Sequence, residues 1–214
     1  MTKLLVINTF DGKVDWVNSL NFPYIIYRKF DPLIPIEYYK TSQENLQEYY
    51  KRLIEIPNYL ELTKPKTDDP HIVINVGHES STFWTHIINH FEDLADLTIF
   101  VHTNPFHHYH NGDFIEMLNN ISEIQDFMDW GTEMKSDYRG QPTDVCPVSE
   151  IFHELYPDRE VPEEYIFKAG SLFALSKDNI RRIGIDFFKQ CLQIAVTKPL
   201  APWAFERLFR TMFT

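Results

Sequence analysis

Apolar and polar positions follow two rhythms along the chain, and the switches between them mark the elements. Lys3–Phe10 is an almost unbroken apolar run that leaves through Asp11-Gly12, which predicts a buried strand entering a turn. Trp16, Val17 and Leu20 give a short amphipathic helix, and Tyr24–Phe30 a second strand closed by Asp31-Pro32 and Pro35. From Ser42 to Ile56, Leu46, Tyr49, Tyr50, Leu53 and Ile54 fall at helical spacing. Leu62–Pro70, broken by prolines and aspartates, predicts a loop.

The clearest unit comes next. Ile72–Val76 is a short β-branched run ended by Gly77, and Ser80 or Ser81 is placed to cap a helix carrying Phe83, Trp84, Ile87, Ile88 and Phe91. Leu97–Val101 is the following strand. Strand, helix and strand at this spacing make a βαβ unit, so the sheet is expected to be parallel here and covered by helices. Beyond Pro105, the spacing of Phe114, Met117, Leu118, Ile121, Ile124 and Met128 predicts one helix over Phe114–Trp130, and the polar stretch Gly131–Pro147 an irregular loop or lid. Ser149–Tyr156 reads as a short helix and Pro157–Pro162 as a charged turn. Tyr165–Leu175 reads as extended chain interrupted at Gly170. Ser176 caps a predicted helix over Lys177–Ala195. After Pro199 and Pro202 a last helix carries Phe205, Leu208, Phe209 and Met212. The fold class expected from this order is a single α/β domain, residues 1–214, with a Rossmann-like, mostly parallel sheet flanked by helices.

Composition narrows the partners more than the fold. The net charge of −11 disfavours a duplex nucleic acid, whose phosphates call for a concentrated basic surface. Short basic clusters at Arg181–Arg182 and Lys64–Lys66 suit a single phosphate group at most. The two cysteines, Cys146 and Cys191, make neither a disulfide framework nor a zinc set. No apolar run approaches the length of a membrane span, and the opening one is too short for a signal peptide, so a cytoplasmic protein with no membrane partner is expected.

Ligands of open α/β sheets bind beyond the carboxyl ends of the parallel strands. Three polar segments follow apolar strands: Asn8–Asp11, Asn75–Glu79 and His102–His110. In the second, glycine leads into a helix start whose amides suit a phosphate, whereas Glu79 calls for a ribose hydroxyl or a basic partner. His102, His107, His108 and His110 are either solvated loop histidines or metal ligands, and His86 and His90 lack the rest of a zincin motif. No serine or cysteine stands in a nucleophile motif. Glu206 lies in an aromatic, apolar stretch, where it either pairs with Arg207 or Arg210 at a helix surface or serves as a base in a cleft.

The order of motifs resembles a family of bacterial and fungal proteins of unknown function. Its Tyr-Asn-Glu-Asp-like turn followed by Trp corresponds to Asn8-Thr-Phe-Asp11 and Trp16, and its Tyr-Asn-Lys motif to Tyr27-Arg-Lys29. Its Asn-x-Gly-Arg-Glu motif, then Thr, helix and a Phe-x-x-x-x-Pro strand, corresponds to Asn75-Val-Gly-His-Glu79, Thr82 and Phe100–Pro105. The tail matches through Gly170–Ser176 and Glu206-Arg-Leu-Phe209, while residues 111–164 match little. His78 in place of Arg, Asn8–Phe10 in place of Tyr-Asn-Glu and Phe209 in place of Trp bear on the ligand more than on the fold.

That family is in turn similar to GT-A-type glycosyltransferases, which bind a nucleoside-diphosphate sugar at the strand ends. The resemblance implies a sugar transfer from such a donor to an acceptor hydroxyl. Where those enzymes hold a divalent cation with Asp-x-Asp, this chain has His102-Thr-Asn104, a poor set for a hard cation. A divalent metal is therefore not favoured and no other cofactor is expected. Lys168, Arg181, Arg182 or Arg207 would neutralise the diphosphate, as in metal-independent relatives. Asn8, Asp11 and Tyr27 would hold the nucleoside, Asn75 and Gly77 would lie near the ribose or diphosphate, and Glu206 would be the catalytic base. Lys29, Glu79, His102, Asn104, His107, Gly170 and Ser171 complete the expected substrate-binding set. The alternatives are a binding module without turnover, a hydrolase holding a metal on the 102–110 histidines, and a DNA-modifying transferase.

Overall fold

A computed structural model describes residues 1–9, 13–29, 71, 73, 77–140, 146–198 and 200–214. Its elements in chain order are β1 (Lys3–Thr9), a 3-10 turn (Asp15–Ser19), β2 (Tyr24–Arg28), α1 (His78–Asn89), β3 (Leu97–His102), a 3-10 turn (Pro105–His107), α2 (Phe114–Asn119), β4 (Phe127–Trp130), β5 (Glu133–Asp137), α3 (Val148–Leu155), β6 (Glu164–Lys168), β7 (Leu172–Ser176), α4 (Lys177–Ile183), α5 (Ile185–Thr197) and α6 (Ala201–Phe213). They form a single α/β domain around a five-stranded sheet in the order β2-β1-β3-β7-β4, with β5 and β6 as a separate antiparallel pair.

β1 runs parallel to β2 and to β3. β7 runs antiparallel to β3 and β4, which it separates, so the sheet is mixed and not mostly parallel as its sequence suggested. His71 O accepts from the Arg28 amide at 2.8 Å and the Val73 amide donates to Arg28 O at 3.0 Å, so residues 71 and 73 lie alongside β2. The remainder of the expected strand 72–76, the helix 42–56, the loop 62–70 and the turn residue Asp11 fall outside the described residues.

The strands alternate between two apolar layers, as a pleated sheet covered on both faces must. Leu5, Ile7, Leu97, Ile99, Val101, Leu172 and Ala174 pack on one side with Val17, Phe114 and Leu118. Val6, Phe100, Phe173 and Leu175 pack on the other with Trp84, Phe188, Phe205, Phe209 and Phe213. Phe173 is the hub of that layer, 4.5 Å from Phe209 and 5.0 Å from Phe100 between ring centroids.

Several predicted boundaries move, each for a local reason. The helix expected over 114–130 ends at Asn119, and Phe127–Trp130 becomes the edge strand β4 beside β7. Asp113 does cap α2, accepting from the Ile115 and Glu116 amides, but Ile124 is exposed. The expected loop 131–147 contains β5, a polar strand fixed by pairing Ser136 with Tyr165 and Met134 with Phe167 on β6. The helix expected over 177–195 divides at Gly184, whose φ of 92° is left-handed, although Ser176 caps it as predicted by accepting from the Asn179 amide at 3.0 Å. α1 starts at Gly77 rather than being capped by Ser80 or Ser81, which lie buried inside its first turn.

Candidate functional site

β1, β2 and β3 deliver Asn8, Lys29 and His102 to one edge of the sheet. Asn8 Oδ1 accepts from Thr82 Oγ1 at 2.7 Å, which ties α1 to the end of β1. Lys29 Nζ donates to Ser81 Oγ at 2.5 Å and is buried. At the start of the helix, the N-cap Gly77 and the first residue His78 both take positive φ, 76° and 44°. A Cβ on Gly77 would sit 2.8 Å from Ala195 O, so only glycine lets the backbone pass α5 here. A histidine at φ 44° is strained, and strain of this kind concentrates where a side chain must be held in one place. The result is that Glu79 stands in the first turn of α1, at the head of the parallel strands.

The opposite wall is the turn between β6 and β7. Gly170 and Ser171 have φ of 106° and 49°. The Gly170 amide donates to Glu206 Oε1 on α6 at 2.6 Å. The His108 ring packs against Gly170 so closely that a Cβ there would fall 2.4 Å from its Cγ. His108 in turn meets His102 edge-on at 5.3 Å, and Trp203 of α6 meets His78 at 4.6 Å. Two glutamates, four nitrogen bases and a serine thus gather at the head of the parallel strands, from positions spread between 29 and 206.

Burial dominates the electrostatics. It pushes the Glu206 carboxyl up to about 7, helped by the Glu79 charge, against the opposing pull of the Gly170 amide, Arg207 and the Ser171 amide. For Glu79 burial acts the same way but is outweighed by His78, its own amide, His102 and the Ser171 hydroxyl, which keep it below the ordinary carboxylate range. Desolvation lowers Lys29 to about 7 despite Glu79. It lowers His78, His102 and His108 as well. Neighbouring carboxyls whose environments push their affinities for the proton apart are suited to acid–base work.

The family described as a protein of unknown function, DUF3431, matches residues 39–214. The chain belongs to this family. No curated protein and no solved structure matches it. The match includes Gly77, His78, Glu79, His102, His108, Gly170, Ser171 and Glu206, so most of the cleft lies within the DUF3431 region.

Of the residues expected in a site, the structure brings Lys29, Gly77, Glu79, His102, Gly170, Ser171 and Glu206 together. Asn8 is beneath them, holding Thr82. Asn104 and His107 are exposed on the loop beyond β3. Four of the expected residues are engaged by protein partners. Tyr27 is buried under α1, where its hydroxyl bonds His86 Nδ1 at 3.0 Å, because β2 turns that side chain into the core. Arg207 is also buried, donating to Gly140 O and Trp203 O over the Phe167 ring, with Glu206 3.8 Å from its guanidinium. Arg181 is on α4, which follows the antiparallel β7 at the opposite end of the strands, and donates to Glu92 O. Lys168 is likewise paired, with Asp129 at 3.2 Å. Asp11 and Asn75 lie outside the described residues. The sequence pointed to neither His78 nor Trp203, and to His108 only as an alternative metal ligand. His78 read only as a departure from a motif, and nothing local ties His108 to Gly170. Among the described residues no group of three or more His, Cys, Asp or Glu side chains is placed to hold a metal ion. No helix among them is long and apolar enough to cross a membrane.

Proposed function

We propose that this DUF3431 protein is a group-transfer enzyme of the nucleotide-sugar glycosyltransferase kind, with Glu206 as general base. The observation that carries this is the Glu206 carboxyl, fixed by the Gly170 amide at 2.6 Å and poised near neutral pH at the head of the parallel strands. A base whose proton affinity matches the operating pH is the most effective one. Glu206 takes the proton of an acceptor hydroxyl as its oxygen bonds the anomeric carbon of the donor. The bond from that carbon to the diphosphate breaks, and its electron pair leaves on the phosphate oxygen. Three adjacent parallel strands opening on the cleft, followed by a reversed strand, support a GT-A-like arrangement.

The reading is tested by transfer assays with nucleoside-diphosphate sugars on Glu206→Gln. Transfer is expected to fall by about 10²–10⁴ while nucleotide binding persists. In the wild type the rate is expected to rise as pH passes through about 7, where Glu206 ionises. Undiminished transfer in the variant would remove Glu206 from the mechanism. A second reading, a module that binds its ligand without turnover, draws on the commitment of Lys168, Arg181 and Arg207 to protein partners. Nucleotide binding by the wild type with no product under any donor would select it.

A further inference from the structure

Two buried polar atoms beside Glu79 make no well-formed hydrogen bond, and the Glu79 charge acts on both residues. The first is Nε2 of His102. Nδ1 of that ring accepts from the Asn104 amide at 3.2 Å, so in the neutral ring the proton is on Nε2. Burial, with help from His108 and His107, lowers the ring's affinity for a second proton against the pull of Glu79. His102 therefore presents an N–H with nothing to receive it. The second atom is Ser171 Oγ, on a residue only 2% exposed. It lies against Glu79 but completes no hydrogen bond of good geometry. The turn holds it there at φ 49°, a conformation that glycine would adopt without strain.

A buried donor without an acceptor is costly, and leaving one beside a cleft implies that something else supplies the acceptor. The occupant must satisfy an N–H donor, a hydroxyl and a committed carboxylate at once. An anion suits this set badly, because it would face the Glu79 charge. A hydroxyl suits it, accepting from His102 Nε2 while donating to Glu79, and a hydroxyl on the adjacent carbon engages Ser171 Oγ. Half-buried Trp203, against the His78 ring that precedes Glu79, adds an aromatic surface for the apolar face of a ring.

We propose that Glu79, His102 and Ser171 form a subsite for the vicinal diol of a sugar ring. Under the reading given above, on which this rests, the ring is the glycosyl part of the donor, and its diphosphate lies away from Glu79.

The test is calorimetric titration of the full chain with UDP, GDP, UDP-glucose, UDP-galactose and GDP-mannose, in the wild type and in Glu79→Gln, His102→Phe and Ser171→Gly. The last variant removes the hydroxyl at a backbone angle that glycine favours, so it keeps the fold. The expected result is that the wild type binds one conjugate more tightly than its bare diphosphate. Each variant then cuts that preference about tenfold with the diphosphate affinity unchanged. A wild type with no preference for a conjugate, variants that keep the preference, or variants that lose both ligands equally would overturn the subsite. If the wild type binds no nucleotide, the donor reading fails on its own. The subsite is then decided by saturation-transfer NMR with methyl glucoside and methyl mannoside. A signal in the wild type that is lost in Ser171→Gly upholds it, and no signal in the wild type, or one that Ser171→Gly keeps, overturns it.

Discussion

At the residue scale, Glu206 and Lys29 show what burying ionisable groups at a cleft does to stability. Glu206 binds its proton up to about pH 7 in the folded chain, against an ordinary value of 4.5. The folded state therefore holds more protons than the unfolded one between those values. Its contribution to stability is full below pH 4.5 and is lost as pH rises to about 7. Glu206→Gln, whose amide oxygen still accepts from Gly170, is expected to raise stability at pH 8 by about 1–3 kcal/mol. At pH 4 it should change little. Urea denaturation at the two pH values checks this, and equal effects at both would contradict it. Lys29 acts in the opposite sense. Its folded value of about 7 lies below the ordinary 10.5, so its contribution is present above pH 10.5 and is lost as pH falls toward 7.

At the scale of elements, the cleft depends on how α1 and α4 are anchored to strand ends. Thr82 of α1 donates to Asn8 Oδ1 in a buried setting, so Thr82→Val leaves that oxygen without its donor. The expected cost is about 1–3 kcal/mol, together with weaker ligand binding because Glu79 is on the same turn. Thermal melting and titration of the variant check both, and an unchanged melting temperature would dismiss the tie. The Ser176 hydroxyl accepts from the Asn179 amide and donates to Asp126 Oδ1. Ser176→Ala is expected to cost about 1 kcal/mol with ligand binding intact, since α4 starts at the opposite end of the strands.

At the scale of the whole molecule, one aromatic layer joins the sheet to the C-terminal helices. Phe173 on β7 touches Phe83, Phe100, Phe127, Phe209 and Phe213. It follows Leu172 and Ser171, so the same strand that fills the core also presents the cleft turn. Phe173→Ala is expected to cost about 3–5 kcal/mol. It should also loosen the Gly170–Glu206 contact, because α6 packs on the ring that is removed. Chemical denaturation measures the first effect. Faster hydrogen exchange at the Gly170 amide measures the second, and native-like exchange would show that the turn is held independently of the core.

Elements whose signal is local could be read directly along the chain. β1, β3 and α1 were legible because an apolar run bounded by glycine or polar residues has only one rhythm, and the Ser176 cap because its partner is three residues away. Glu206 was legible as a misfit, a carboxyl among Trp203, Phe205 and Phe209, but its two readings could not be separated in sequence. The tertiary structure sets both the Gly170 amide, at 2.6 Å, and the Arg207 guanidinium, at 3.8 Å, against it. Tertiary contact likewise turned Phe127–Trp130 into a strand, since residues that satisfy a helical period over 114–130 also alternate well enough to pair with β7. β5 is polar, and its pairing energy comes from β6, some thirty positions on. The reversal of β7, the burial of Tyr27 and Arg207, and the meeting of His78, His102 and His108 around Glu79 are all products of long-range packing. Such contacts are decided by which surfaces exclude water together, and no window along the chain contains both partners.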